Sequence, residues 1–287
     1  MSNERSAKTT QLAEVWRRLK RNKAAIIGGV IVLVYVLVAL LAPLISPYPP
    51  LEGNLAKRLQ GPSLENWLGT DALGRDILSR VIYGARISLQ IQLAAVVIAL
   101  VLGTLLGLFG GYYGGFTDGL IMRLMDILLA FPGIFLAIAI IAVLGPGLMN
   151  LILAAGIYSV PQFARIVRGS ILSLKEKEFV EAARASGESD TSIIFRYLLP
   201  NSMAPLIIQT SLRMATVLLT ASGLSFLGLG VQPPQAEWGA MLSTARPYLI
   251  TAPHVATFPG LAIMFVVMGF NLFGDGLRDS LDPRLKD

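Results

Sequence analysis

Between Ala24 and Ser46 the chain carries no charged residue, and between Ile87 and Gly111 it again carries none. Apolar runs of about 20 residues are long enough to cross a hydrocarbon layer of roughly 30 Å as helices. Read this way, the pattern predicts six spans, at about 25–45, 87–109, 120–143, 148–166, 203–225 and 256–274. The third has Arg123 and Asp126 near its start, and the fifth contains Arg213. The fourth is the weakest, being short and interrupted by Pro161. A polar stretch rich in Gly and Pro, residues 228–255, separates the last two. The predicted class is an all-α membrane protein of six transmembrane helices.

Composition agrees with that class. Of 287 residues 54% are hydrophobic and 15% charged, with a mean hydropathy of +0.65, whereas a soluble domain is about a quarter charged. The absence of cysteine excludes disulfides, iron–sulfur clusters and thiolate zinc sites, and the single His254 argues against a histidine-based metal site. The net charge of +6 reads as topology. With an even number of spans both termini share a side, and if that side is cytoplasmic it holds seventeen of the 24 Lys and Arg. The other side holds Lys57, Arg58, Arg75, Arg80, Arg86 and Arg246. The positive-inside rule therefore places both termini in the cytoplasm, and the excess gives no sign of a nucleic-acid surface. The organisation that follows is a cytoplasmic tail (1–24), an external loop (46–86) after the first span, and a core (87–287). The core contains a cytoplasmic segment (167–202), an external loop (226–255) and a cytoplasmic C-terminal tail (275–287). The apolar run at 25–45 lacks an A-x-A site, which favours a retained helix over a cleaved signal. In the tail, Leu12, Val15, Trp16 and Leu19 recur at helical spacing among basic residues, as in a helix lying at the membrane interface.

The segment 167–202 holds Glu181-Ala182-Ala183, then Gly187, then Leu199-Pro200. It reads as two short helices around a turn. Lys175 to Ser186 is rich in helix formers, Gly187 suits the left-handed position that closes a helix, Asp190 is a candidate N-cap for the second, and Pro200 would stop or kink it. The small side chains of Ala182, Ala183 and Ala185 would let another protein approach closely. Such an elbow between two spans is a plausible lever from a soluble partner into the bilayer.

The order EAA, three residues, Gly, then Leu-Pro thirteen positions from that glycine's neighbourhood resembles the signature of ABC-importer permeases, with Tyr197 where that signature usually has Ile. More of the chain is similar to the C-type dipeptide/oligopeptide/nickel permeases. The matching stretches are Lys20-Arg21-Asn22-Lys23, Leu68-Gly69-Thr70-Asp71 with Gly74-Arg75-Asp76 and Ser79-Arg80, and Tyr83-Gly84-Ala85-Arg86. Gln232-Pro233-Pro234 with Glu237-Trp238-Gly239, and Gly274-Asp275-Gly276-Leu277-Arg278-Asp279 with Leu281-Asp282-Pro283, complete the set. The resemblance implies a type I ABC-importer permease fold and a role as half of a translocation pathway for dipeptides or oligopeptides; glutathione and nickel chelates are the alternative cargoes. It also implies a homologous second permease subunit, two ATP-binding subunits and an external substrate-binding protein as partners. Glu181, Ala182, Ala183, Gly187 and Pro200 would then seat on the ATP-binding subunits. The chain has no Gly-Lys dipeptide and hence no P-loop, so it is expected to be no enzyme and to bind no cofactor, ATP and Mg²⁺ belonging to the partners.

The pathway residues are read more coarsely. Arg213 inside a span should face protein or water, with a substrate carboxylate, an ion pair to the second permease, or snorkelling as the readings. Arg123 and Asp126, at i and i+3, are expected to neutralise each other near the cytoplasmic end. Gly103, Gly107, Gly111 and Gly115 form an i+4 ladder for close helix approach, and Pro132 and Pro161 would interrupt spans beside the path. In the outer motif, Thr70 or Asp71 is expected to cap a short helix whose Asp71, Arg75, Asp76 and Arg80 stay at the wet surface. That motif would serve either for docking or as a lid, or as a salt-bridge brace. A channel-like protein is the rival from another class.

Overall fold

The computed structural model describes residues 17–281. Leu12, Val15 and Trp16 of the expected interfacial helix, and Asp282 and Pro283, lie outside the described residues. Nine helices of eight residues or more build the described chain: α1 Lys23–Ile45, α2 Ile77–Tyr113, α3 Gly115–Ala130, α4 Gly133–Leu144, α5 Leu148–Leu174, α6 Glu178–Ala185, α7 Met203–Phe226, α8 Trp238–Ala245 and α9 His254–Leu281. Five of them (α1, α2, α5, α7 and α9) are each long and apolar enough to span a membrane. The bent pair α3 and α4 makes a sixth span if taken as one.

The helices overrun the predicted boundaries in a consistent way. Four spans extend beyond the apolar run into polar flanks, because helix ends follow capping and not hydropathy. Helix α2 begins ten residues before the expected 87, where Asp76 accepts a hydrogen bond from the Ser79 amide at 2.8 Å. Helix α5 runs on to Leu174 and α9 to Leu281, so the supposed tail from residue 275 is largely helix. Pro161 does not interrupt α5, which is continuous through it. Pro132 does mark a break: α3 and α4 meet there at 93°.

Small residues set the closest packing. α2 and α5 share the largest helix–helix contact. A Cβ on Gly103 would lie 2.5 Å from the Phe163 Cβ, one on Gly107 2.5 Å from the Ala164 carbonyl oxygen, and one on Gly111 2.8 Å from the Ile171 Cβ. Three rungs of the glycine ladder thus serve one interface. Gly115 does not, since it meets nothing and instead opens α3 with φ +52°. α1 lies on α9 in the same manner, with Gly28 against the Gly269 backbone and Gly276 against Ala25. At that end the Asn22 side chain donates to Asp279 at 3.3 Å, so the start of α1 and the end of α9 lie together. We call this the elbow end, because α6 follows α5 there, and the other the capped end, where the loops 46–76 and 228–253 pack.

Midway, Tyr35 of α1 donates to Gln92 of α2 at 2.6 Å, and Gln92 in turn donates to the Met214 carbonyl of α7 at 2.9 Å. These buried bonds join three spans where an unpaired polar group would cost several kcal/mol.

Candidate functional site

Helices α3, α5 and α7 turn polar residues toward one another at accessible positions. On α7, Gln209, Arg213, Thr216 and Thr220 fall at i, i+4, i+7 and i+11, which places them on one face. On α5, Tyr158, Gln162 and Arg165 fall at i, i+4 and i+7, again on one face. Arg213, half-buried, is within hydrogen-bonding reach of the Tyr158 hydroxyl. Tyr158 also packs over Gly133, where a Cβ would overlap its ring, so the α3–α4 break beside Pro132 is shaped around this tyrosine. Two turns along α5, Arg165 donates to Asp126 of α3 at 2.6 Å, with more than half of each side chain accessible. Gln162, between them, keeps its Oε1 without a hydrogen-bond partner.

Three of the expected pathway residues, Arg213, Asp126 and Pro132, therefore meet along one seam, and α5 is what joins them. The expected Arg123–Asp126 pair does not form. Asp126 is taken by Arg165, 39 residues away in sequence, and Arg123 stands exposed. Nearer the elbow end Arg168 clamps Asp118 through two bonds of 2.5 and 2.6 Å. Tyr158, Gln162, Arg165, Arg168 and Asp118 were missed by the sequence reading; the i, i+4, i+7 polar spacing in the fourth span is the signal that marks the first three.

The elbow is anchored by one face and open on the other. In α6, Val180 and Ala183 are buried, while Glu181, Ala182, Arg184 and Ala185 are exposed. Ala183 is thus part of the anchor and not of the small exposed face. Gly187 takes φ +80° as expected, and the Glu188 amide donates back to the Ala183 carbonyl at 3.1 Å, closing the helix with a left-handed cap. The second helix is capped by Ser189, whose hydroxyl accepts from the Ser192 amide at 3.3 Å, and not by Asp190. Asp190 instead accepts from the Tyr112 hydroxyl at 2.6 Å, over whose ring Arg184 lies at 5.5 Å. Past it the chain climbs into α7 through Asp190–Ser192, a π-helical stretch Ile193–Leu198, and Leu199–Asn201, which contains Pro200. Tyr197, where the signature usually has Ile, directs its hydroxyl to Glu188 at 3.4 Å.

At the capped end, Asp71, Arg75, Asp76 and Arg80 are buried, each under 8% exposed, which overturns their expected place at the wet surface. Asp71 accepts from Arg75 Nε at 2.7 Å and lies 3.4 Å from Arg80 Nε. Arg80 donates to the Pro50 carbonyl at 2.9 Å and reaches that of Pro234. Asp76, not Thr70 or Asp71, is the helix cap, and it also accepts from Asn66 at 2.9 Å. Thr70 donates to the Lys57 carbonyl, and its own carbonyl meets His254 Nε2 at 3.3 Å. Gly69 and Gly74 sit at φ +81° and +70° against neighbouring chain. Gly84 is a notch for Trp238, which donates to the Val81 carbonyl at 2.9 Å. Glu237 caps α8 through the Gly239 and Ala240 amides at 2.9 and 2.8 Å. Burial pushes its carboxyl above the ordinary range, and those amides hold it partly down. The outer motifs are one brace.

Residues 103–287 match the family of the binding-protein-dependent transport system inner membrane component, and residues 10–62 match the N-terminal TM domain of oligopeptide transport permease C. The chain is 52% identical to the dipeptide transport system permease protein DppC of Alkalihalophilus pseudofirmus over 273 residues, 95% of this chain and 90% of that one. It is also 52% identical to the glutathione transport system permease protein GsiD of Salmonella typhimurium over 278 residues, 96% of this chain and 92% of that one. Among solved structures, the inward-facing MetNI methionine ABC transporter has a chain of the same fold, with a TM-score of 0.58 at 18% identity over 72% of this chain and 98% of that one. The chain belongs to the binding-protein-dependent transport system inner membrane components: it is a permease subunit of an ABC importer.

Proposed function

We propose that this permease carries small peptides inward, with the seam between α3, α5 and α7 as its share of the path. The observation that carries the substrate class is the equal, nearly full-length identity to a dipeptide and a glutathione permease, both of whose named cargoes are peptides. The seam supports it. Charged and hydrogen-bonding groups in spanning helices are costly against lipid and belong beside water or protein, and here they line up on facing helices.

In this reading the elbow end lies in the cytoplasm, where most of the basic residues fall. The exposed face of α6, with Glu181 and Ala182, seats on an ATP-binding subunit, and Gly187 and Pro200 shape the turn that passes its movement to α7. A second, homologous permease completes the path, two ATP-binding subunits drive it, and an external substrate-binding protein delivers the cargo. The chain itself contributes no ATPase site and no cofactor. The test is uptake of labelled dipeptides by proteoliposomes holding the whole assembly, with ATP inside and the binding protein outside. ATP-dependent accumulation is expected. Accumulation of a nickel chelate but not of peptides would replace the substrate class, and ATP-independent equilibration would point to a channel.

A further inference from the structure

We infer that Arg213, positioned by Tyr158, receives a carboxylate of the passing solute; this rests on the peptide reading above. Arg213 lies ten residues into the 24-residue α7, about 15 Å along its axis, so its charge sits deep in a spanning helix. The other ionised groups of the seam are matched within the chain, Arg165 with Asp126 and Arg168 with Asp118. Arg213 takes part in none of the ion pairs among the described residues, and its polar neighbour is a neutral phenol. Arg123 also lacks an ion pair among them, but it is exposed, with a long stem free to carry its head toward the headgroup level. Arg213 is half-buried and turned onto α5.

The chemistry of the pair selects an anion. A guanidinium donates at five positions and accepts none, and its fork fits a carboxylate through two parallel bonds. When the Tyr158 oxygen accepts from Arg213, its own proton remains available to a second acceptor, which a carboxylate supplies. Gln209 and Thr216, one turn to either side of Arg213, continue the polar line without adding charge, and the Thr216 hydroxyl is already bonded to the Leu212 carbonyl at 3.3 Å. Every unmodified peptide carries a C-terminal carboxylate whatever its side chains, so one arginine serves many cargoes.

The experiment compares dialanine with dialanine amide in the reconstituted full assembly, each presented at saturating binding protein and read as maximal uptake per assembled complex. Arg213→Ala is expected to lower uptake of the acid about tenfold or more while changing the amide less than about twofold. Arg213→Lys should keep part of the preference, and Tyr158→Phe should lose about two- to threefold on the acid alone. Parallel loss of acid and amide, or no loss of either, overturns the inference. So does failure of Arg213→Ala, but not Arg213→Lys, to co-purify with the second permease, since that marks an ion pair between subunits. If the binding protein admits only the acid, Arg213→Lys against Arg213→Gln decides: similar uptake by both, with the assembly intact, overturns it, and uptake by the lysine variant alone supports it. Wild-type assembly that moves no peptide at all would instead sink the peptide reading.

Discussion

The two ends of this molecule hold their charges in opposite ways. At the capped end Asp71, Arg75, Asp76 and Arg80 are buried and answered by side chains, carbonyls and amides from four stretches of chain that are far apart in sequence. At the elbow end Glu181 and Arg184 are exposed, and α6 is held by Val180, Ala183 and a few bonds such as Tyr112 to Asp190. A buried charge network fixes geometry, because moving any member strands another without a partner. A short helix anchored on one face costs little to shift. The capped end is built as a fixed frame and the elbow as a part that moves against it.

That contrast is open to direct test. The largest effect is expected for Asp71→Ala, which leaves Arg75 and Arg80 buried without their carboxylate; it should cost about 3–5 kcal/mol and appear as early thermal aggregation of the purified assembly. A shift too small to detect would mean the brace is not a frame. Next, Trp238→Phe removes the donor to the Val81 carbonyl and should cost about 1–2 kcal/mol, seen in the same melting experiment, with uptake per folded complex unchanged. Gly187→Ala has open space around it but keeps φ at +80°, so its stability cost is about 1 kcal/mol. Its mark should be on uptake and on ATP hydrolysis per solute moved. If melting changes more than coupling, the elbow is a structural element and no lever. The smallest is Tyr197→Phe, which gives up the long bond to Glu188; a loss of about 0.5 kcal/mol or less is expected, with coupling unaltered.

The sequence made the long apolar helices legible, since hydrocarbon thickness leaves few alternatives for a run such as 25–45. It also made Gly187 legible, because its left-handed backbone follows from local chain chemistry. The capped end was misread for a physical reason: Arg75, Asp76 and Arg80 are charged, and charge alone predicts solvent. Their burial depends on partners such as Pro50 and Pro234, which no local rule brings near. Asp126 teaches the same point, since i, i+3 spacing offers Arg123, whereas helix packing delivers Arg165. The polar spacing of Tyr158, Gln162 and Arg165 was readable, but Pro161 among them suggested an interruption that the helix does not make.

The π-helical stretch Ile193–Leu198 lies between the elbow and the seam. A π turn winds an additional residue into the space of an α turn, so this connection carries one residue of slack. Deleting a residue there would let the segment wind as plain α-helix and turn everything beyond it by about 100° about the axis. Arg213 would then swing off Tyr158 with every other contact of the elbow intact. The slack makes the bearing of one arginine a matter of winding number, set twenty residues upstream of it.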